Sequence, residues 1–111
     1  MRPEMSNLDF TIGCTVTFFS RKRRTPPNLN NGKYCPHLVI KGSDQLLDVN
    51  FIDGEDVIFD QPVRANALPI KEDIDHSVLQ VGTEFLIMEG GNVVGEGIVK
   101  EIFQHKPHER K

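Results

Sequence analysis

At 111 residues the chain has the size of one domain, long enough for a single core and too short for a nucleotide-binding domain with a second domain attached. Apolar residues make up 38% and charged residues 26%, with a formal net charge of -3; this excludes compositional disorder and a globally polycationic surface, so any nucleic-acid role has to be local. No apolar run approaches the roughly 20 residues that span a bilayer, and the opening MRPEMSNLDF has no apolar signal core behind Arg2, which predicts a cytoplasmic protein away from any membrane.

Residues 1–7 read as an N-terminal extension, and a barrel-forming domain is predicted over 8–103. Over 8–18 the even positions are Leu8, Phe10, Ile12, Cys14, Val16 and Phe18, and the odd ones are Asp9, Thr11, Gly13, Thr15 and Thr17. This period of two predicts a strand with one buried and one wet face. Cys14 falls on the buried face as a small hydrophobe, and without a secretion signal a disulfide to Cys35 finds little support. Residues 20–32, SRKRRTPPNLNNG, combine charge, adjacent prolines, asparagines and a glycine, and read as a long loop. HLVIK (37–41) then places Leu38 and Ile40 on one side and His37, Val39 and Lys41 on the other. LLDVNFI (46–52) points Leu47, Val49 and Phe51 inward and Asp48 and Asn50 outward, with KGSDQ as the hairpin connection.

After an acidic DGED turn, VIF and PVRANAL suggest a further strand with Val63, Ala65 and Ala67 on one face and Pro62 at its start. IKEDIDHSVL (70–79) reads as an irregular connection. TEFLIME (83–89) and NVVGEGIVKEIF (92–103) flank Gly90 and Gly91, a pair suited to the positive φ of a tight hairpin. In the last strand Val93, Gly95, Gly97, Val99, Glu101 and Phe103 share a face by alternation, and the bare backbone at Gly95 and Gly97 suits a barrel corner. Residues 104–111 read as a polar tail. About six short strands with hardly any helix predict an all-β fold, a small closed antiparallel barrel.

The glycine run EGGNVVGEG raises the question of a phosphate-binding loop. Such a loop needs GK followed by Ser or Thr and then a helix; a strand-like run follows instead, so neither GTP nor another nucleotide is expected there. The four histidines are His37, His76, His105 and His108, and only the last two have ligand-like spacing, in the tail; no metal or cofactor is expected. Residues 44–75 hold nine acids against Arg64 and Lys71, which reads as a wet face and not as an acid/base pair, so no enzymatic activity is expected. The basic run Arg21, Lys22, Arg23 and Arg24 stands out in this acidic chain. Guanidinium groups there could fork onto phosphate oxygens and release counterions; alternatively the run solubilises a loop tip or pairs with the acidic middle of the chain.

Two stretches carry a family resemblance. The ending FLIMEGGNVVGEGIVKEIF is similar to the pattern F-x-I-R-E-G-G-R-T-V-G-x-G-V-V, and RRTP followed by YCPHLVI is similar to G-R-H-T-P followed by Y-R-P-Q-F. Over about 10–103 the chain thus resembles the C-terminal β-barrel, the third domain, of translation elongation factor Tu, here as a stand-alone domain. In that family the domain touches the T stem of aminoacyl-tRNA, chiefly through its sugar-phosphate backbone, and packs against a GTPase domain. The resemblance implies that Arg23 and Arg24 stand where the family's Arg and His stand, His37 where its Gln follows the Pro, and Glu89 and Gly90 where its Glu-Gly begins the final hairpin. Arg21 and Lys22 extend that set. The implied ligand is tRNA or another RNA, or a protein of the translation machinery. Cys35, Met88 and Asn92 replace arginines of the family pattern, which keeps open a protein-interaction domain, an immunity, adaptor or mimic protein, with no nucleic-acid binding.

Overall fold

The structure is a computed structural model and describes residues 10–43, 45–70 and 79–104. It contains six strands: β1 (Phe10–Phe18), β2 (His37–Ile40), β3 (Leu46–Gly54), β4 (Val63–Pro69), β5 (Glu84–Glu89) and β6 (Asn92–Gln104). They close into one barrel in the order β1-β4-β3-β2-β5-β6, with every neighbouring pair antiparallel. Closure leaves no strand edge unpaired, which removes the template for edge-to-edge association. Among the described residues no helix is long and apolar enough to cross a membrane.

The period-two pattern fills the interior as expected. Ile12, Cys14, Val16 and Phe18 of β1 meet Leu47, Val49 and Phe51 of β3 and Phe85 and Ile87 of β5 in a single core. Leu29, from the long loop over 19–36, and Leu79, just ahead of β5, are also buried, so each end of the barrel receives an apolar plug from a connection. Cys14 and Cys35 are both free, the first buried and the second exposed. Burial disfavours the thiolate and pushes the Cys14 thiol up to about 12.

Strict alternation fails in β6, and two bulges explain it. Opposite β5 the register steps from Met88↔Val93 to Ile87↔Gly95, and the extra residue, Val94, is buried while Val93 is only partly so. Opposite β1 the register steps from Cys14↔Val99 to Gly13↔Glu101, with Lys100 as the extra residue. An inserted residue reverses the facing of everything after it. Glu101 and Phe103 therefore do not share the inner face with Gly95, Gly97 and Val99: they pair with Gly13 and Thr11 on the outside, and Ile102 turns towards the core instead.

A second correction concerns VIF. Residues 57–59 are not strand; the connection from β3 turns through Asp60, the one non-glycine residue with positive φ (66) among those described. Asp60 can hold that conformation because its N–H donates to the Phe18 carbonyl at 2.7 Å and its Oδ1 accepts from the Ser20 N–H at 3.2 Å. The final hairpin forms as predicted, with Gly90 at φ 62 between the paired residues Glu89 and Asn92. Gln104, placed in the predicted tail, belongs to β6. Leu8, the remainder of the tail and nearly all of the predicted connection over 70–79, with His76, His105 and His108, lie outside the described residues.

Candidate nucleic-acid interface

Antiparallel closure delivers the ends of β1, β3 and β5 to the same rim as the starts of β2, β4 and β6. The loop over 19–36 leaves from Phe18, His37 opens β2, Glu89 closes β5 and Gly90 turns into β6. The seven residues singled out in the sequence, Arg21, Lys22, Arg23, Arg24, His37, Glu89 and Gly90, thus gather at one end of the barrel although nearly 70 positions separate the first from the last.

The long loop is anchored at several points. Phe19 N–H donates to the Val94 carbonyl at 2.9 Å, and Phe51 N–H to the Tyr34 carbonyl at 3.0 Å. Asn30 bridges to Gly54 in both senses, donating to its carbonyl at 2.9 Å and accepting from its N–H at 3.1 Å. Asn28 and Asn31 each accept, through the side-chain oxygen, from the N–H two residues on, as Asx turns do. A loop so tied presents its cations from a defined platform.

Tyr34 organises the centre of this rim. Its ring stacks on Phe51, centroids 5.7 Å apart, and meets Phe18 edge-on at 5.9 Å. Its hydroxyl donates to Glu89 Oε2 at 2.6 Å, and the Arg23 guanidinium lies 5.6 Å above the ring. Arg23 Nε donates to the same Glu89 oxygen at 2.9 Å, while NH1 donates to the Thr25 carbonyl at 2.7 Å. Burial, then the hydrogen bond and charge of Glu89, hold the Tyr34 phenol well above its ordinary pKa, with Arg23 opposing; the hydroxyl stays a neutral donor at any physiological pH.

The four cations of the loop are therefore not equivalent. Arg23 is half-buried and engaged with Glu89. Arg21 contributes, after the Ser20 hydroxyl and backbone hydrogen bonds, to lowering the Asp60 carboxyl, so part of the basic run does face the acidic middle of the chain. Lys22 and Arg24 are exposed, with no ion-pair partner among the described residues. His37 Nε2 lies 2.8 Å from Asp48 Oδ1, and its side chain remains 43% exposed at the start of β2.

Tyr34, the only tyrosine in the chain, was not among the residues picked out by sequence. The available signal was its position, a lone amphipathic aromatic between a polar loop and a strand, where one end of a ring can be dry and the other can donate. Its partner Glu89 was legible as a hairpin residue, but not as the counter-charge to Arg23, which lies 66 positions earlier.

Two depressions lie elsewhere on the outer wall. A groove of about 460 Å³ crosses β1, β4 and β6, with Gly13, Asn66, Asp53, Arg64, Lys100 and Phe103 among its lining. Its polar groups are largely engaged with one another: Asn66 donates to Asp53 at 2.7 Å, and Arg64 bonds Glu55 through its backbone at 2.8 Å and its guanidinium at 3.4 Å. A second, of about 290 Å³, surrounds Lys41, which bridges Glu84 at 3.4 Å and Glu96 at 3.1 Å. Among the described residues no group of three or more His, Cys, Asp or Glu side chains is placed to hold a metal ion. No protein-family model matches this chain, and no curated protein matches it.

Proposed function

We propose that the chain is a non-enzymatic binding module of the cytoplasm, related to the third domain of elongation factor Tu, whose loop end grips the sugar-phosphate backbone of tRNA or another RNA. The observation that carries this reading is the convergence of Arg21, Lys22, Arg23, Arg24, His37, Glu89 and Gly90 on one rim, with Lys22 and Arg24 exposed and unpaired among the described residues. Mobile cations on an anchored loop suit phosphate oxygens, a partly exposed imidazole suits a 2′-hydroxyl, and a glycine turn lets a backbone come close. With a net charge of -3, contact is confined to this rim by repulsion elsewhere.

Titration of tRNA at a series of salt concentrations tests the proposal. Saturable binding is expected, and Lys22→Ala with Arg24→Ala lowers the slope of log K against log salt by about two, in proportion to the phosphates released. Absence of saturable binding, or a slope unchanged by the double substitution, would remove the reading.

A second reading, a protein-interaction module that needs no nucleic acid, is favoured by the engagement of Arg23 with Glu89, which takes one cation out of the rim's supply. Retrieval from cell extract before and after nuclease treatment separates the two. A protein retained after nuclease supports the second reading; nucleic acid alone opposes it.

A further inference from the structure

Glu89 occupies the place on Arg23 that an incoming anion would want. Its Oε2 receives the Arg23 Nε at 2.9 Å and the Tyr34 hydroxyl at 2.6 Å, so one carboxylate oxygen is held by two donors from the loop. A phosphodiester oxygen has the same charge and acceptor character, and a guanidinium accepts either in the same fork geometry. The Arg23 and Glu89 side chains are 23% and 32% exposed, half-covered yet within reach of a ligand at the rim. The Tyr34 ring beneath keeps the guanidinium flat against the barrel when the carboxylate is withdrawn, because that contact does not depend on Glu89.

We propose that Glu89 is an internal stand-in for a phosphate: in the free protein it occupies the anion seat formed by Arg23 and Tyr34, and an RNA phosphodiester displaces it on binding. The inference rests on the RNA reading and adds a regulatory term to it. The exposed pair, Lys22 and Arg24, makes first contact, and Arg23 joins only where a phosphate reaches the seat and the carboxylate swings away. The seat thus discriminates between a backbone docked in register and a polyanion loosely held by the outer cations, since only the former meets the geometry of both donors. Tyr34 acts as a positioning residue, its hydroxyl directing Glu89 onto Arg23.

The test compares wild type, Glu89→Gln, Arg23→Ala and the double variant, titrated with an RNA duplex and separately with a polyglutamate peptide of matched charge. Glutamine preserves the shape and an acceptor for Tyr34 while removing the competing charge, so folding is conserved and is checked by thermal melting. Glu89→Gln is expected to bind RNA about two- to fivefold more tightly, the range that partly exposed ion pairs span. Its salt slope steepens by about 0.9, one further phosphate, and both changes vanish when Arg23→Ala is added. In the wild type, the Arg23 Nε–H resonance shifts when RNA is added and does so least in Glu89→Gln. If wild type binds RNA and Glu89→Gln binds it equally or less tightly, Glu89 is not a competitor and the inference falls while the RNA reading stands. If neither binds RNA, both fall. A gain confined to polyglutamate assigns the seat to a carboxylate of a protein partner and overturns displacement by a phosphodiester.

Discussion

Gly97 lies in β6 between Phe85 of β5 and Val16 of β1, and alanine there would test whether a bare backbone is what lets the wall close. The added Cβ would fall 2.6 Å from Phe85 Cζ, 2.7 Å from Phe85 Cε1 and 2.8 Å from the Thr15 carbonyl oxygen. Carbon atoms rest about 3.5–4.0 Å apart, so the ring would have to retreat by roughly an ångström. Phe85 is fully buried and has no room to retreat, and the Thr15 carbonyl belongs to a paired strand whose ladder would have to widen. Overpacking of this kind costs about 1–3 kcal/mol, against which the stiffer unfolded chain returns about 0.4–1 kcal/mol. A net loss of about 1–2 kcal/mol follows, and for a domain of this size it lowers Tm by about 4–16 °C. Urea unfolding should show a reduced midpoint at constant m, and thermal melting the lower Tm. In a Phe85→Leu background the penalty at Gly97 should shrink, because part of the obstruction is gone. The corresponding penalty of Gly95→Ala should not shrink, because its Cβ meets the Thr17 carbonyl oxygen at 2.5 Å instead of the Phe85 ring. A Gly97→Ala variant melting within about a degree of wild type, or one whose penalty ignores residue 85, would refute the close-approach argument.

At the final hairpin, Gly90→Ala should cost about 1–2 kcal/mol, since φ is 62 there, whereas Gly91→Ala, with open space around its Cβ, should stay within about 0.5 kcal/mol of wild type; equal urea midpoints for the two would contradict this. Tyr34→Phe keeps both ring contacts and removes only the hydroxyl bond to Glu89, an expected loss of about 1–2 kcal/mol by urea unfolding, most of which should disappear when measured in Glu89→Gln. The raised Cys14 thiol makes stability fall in alkali. The unfolded thiol loses its proton near 9.0 and the folded one near 12, so this contribution is complete below 9.0 and is lost as pH rises to about 12. Tyr34, raised from 10.0, adds a loss of the same sign at higher pH. A Tm profile from pH 8 to 11 should therefore decline later in Cys14→Ala than in wild type, and parallel declines would dismiss the thiol as the cause.

The alternating apolar positions of residues 10–18 and 46–52, the glycine pair at 90 and 91 and the loop chemistry of 20–32 were enough to determine an all-β barrel and the position of its last hairpin. These are local signals: side-chain direction along an extended chain reverses every residue, and a tight turn demands positive φ whatever surrounds it. Only the tertiary structure decided the rest. The bulges at Val94 and Lys100 cannot be read from β6 alone, because a bulge is defined by the partner strand, and they turned Glu101 and Phe103 outward. Residues 57–59 look strand-like by composition, yet Asp60 is drawn into a turn by Phe18 and Ser20, which lie about 40 positions away. The rim shows the same division. Its basic run was visible in the sequence, but which arginine is engaged and which is exposed depends on Glu89 and Tyr34, brought to it by closure of the barrel. Charge is a property of each residue, whereas its availability is set by neighbours that the chain supplies from far away.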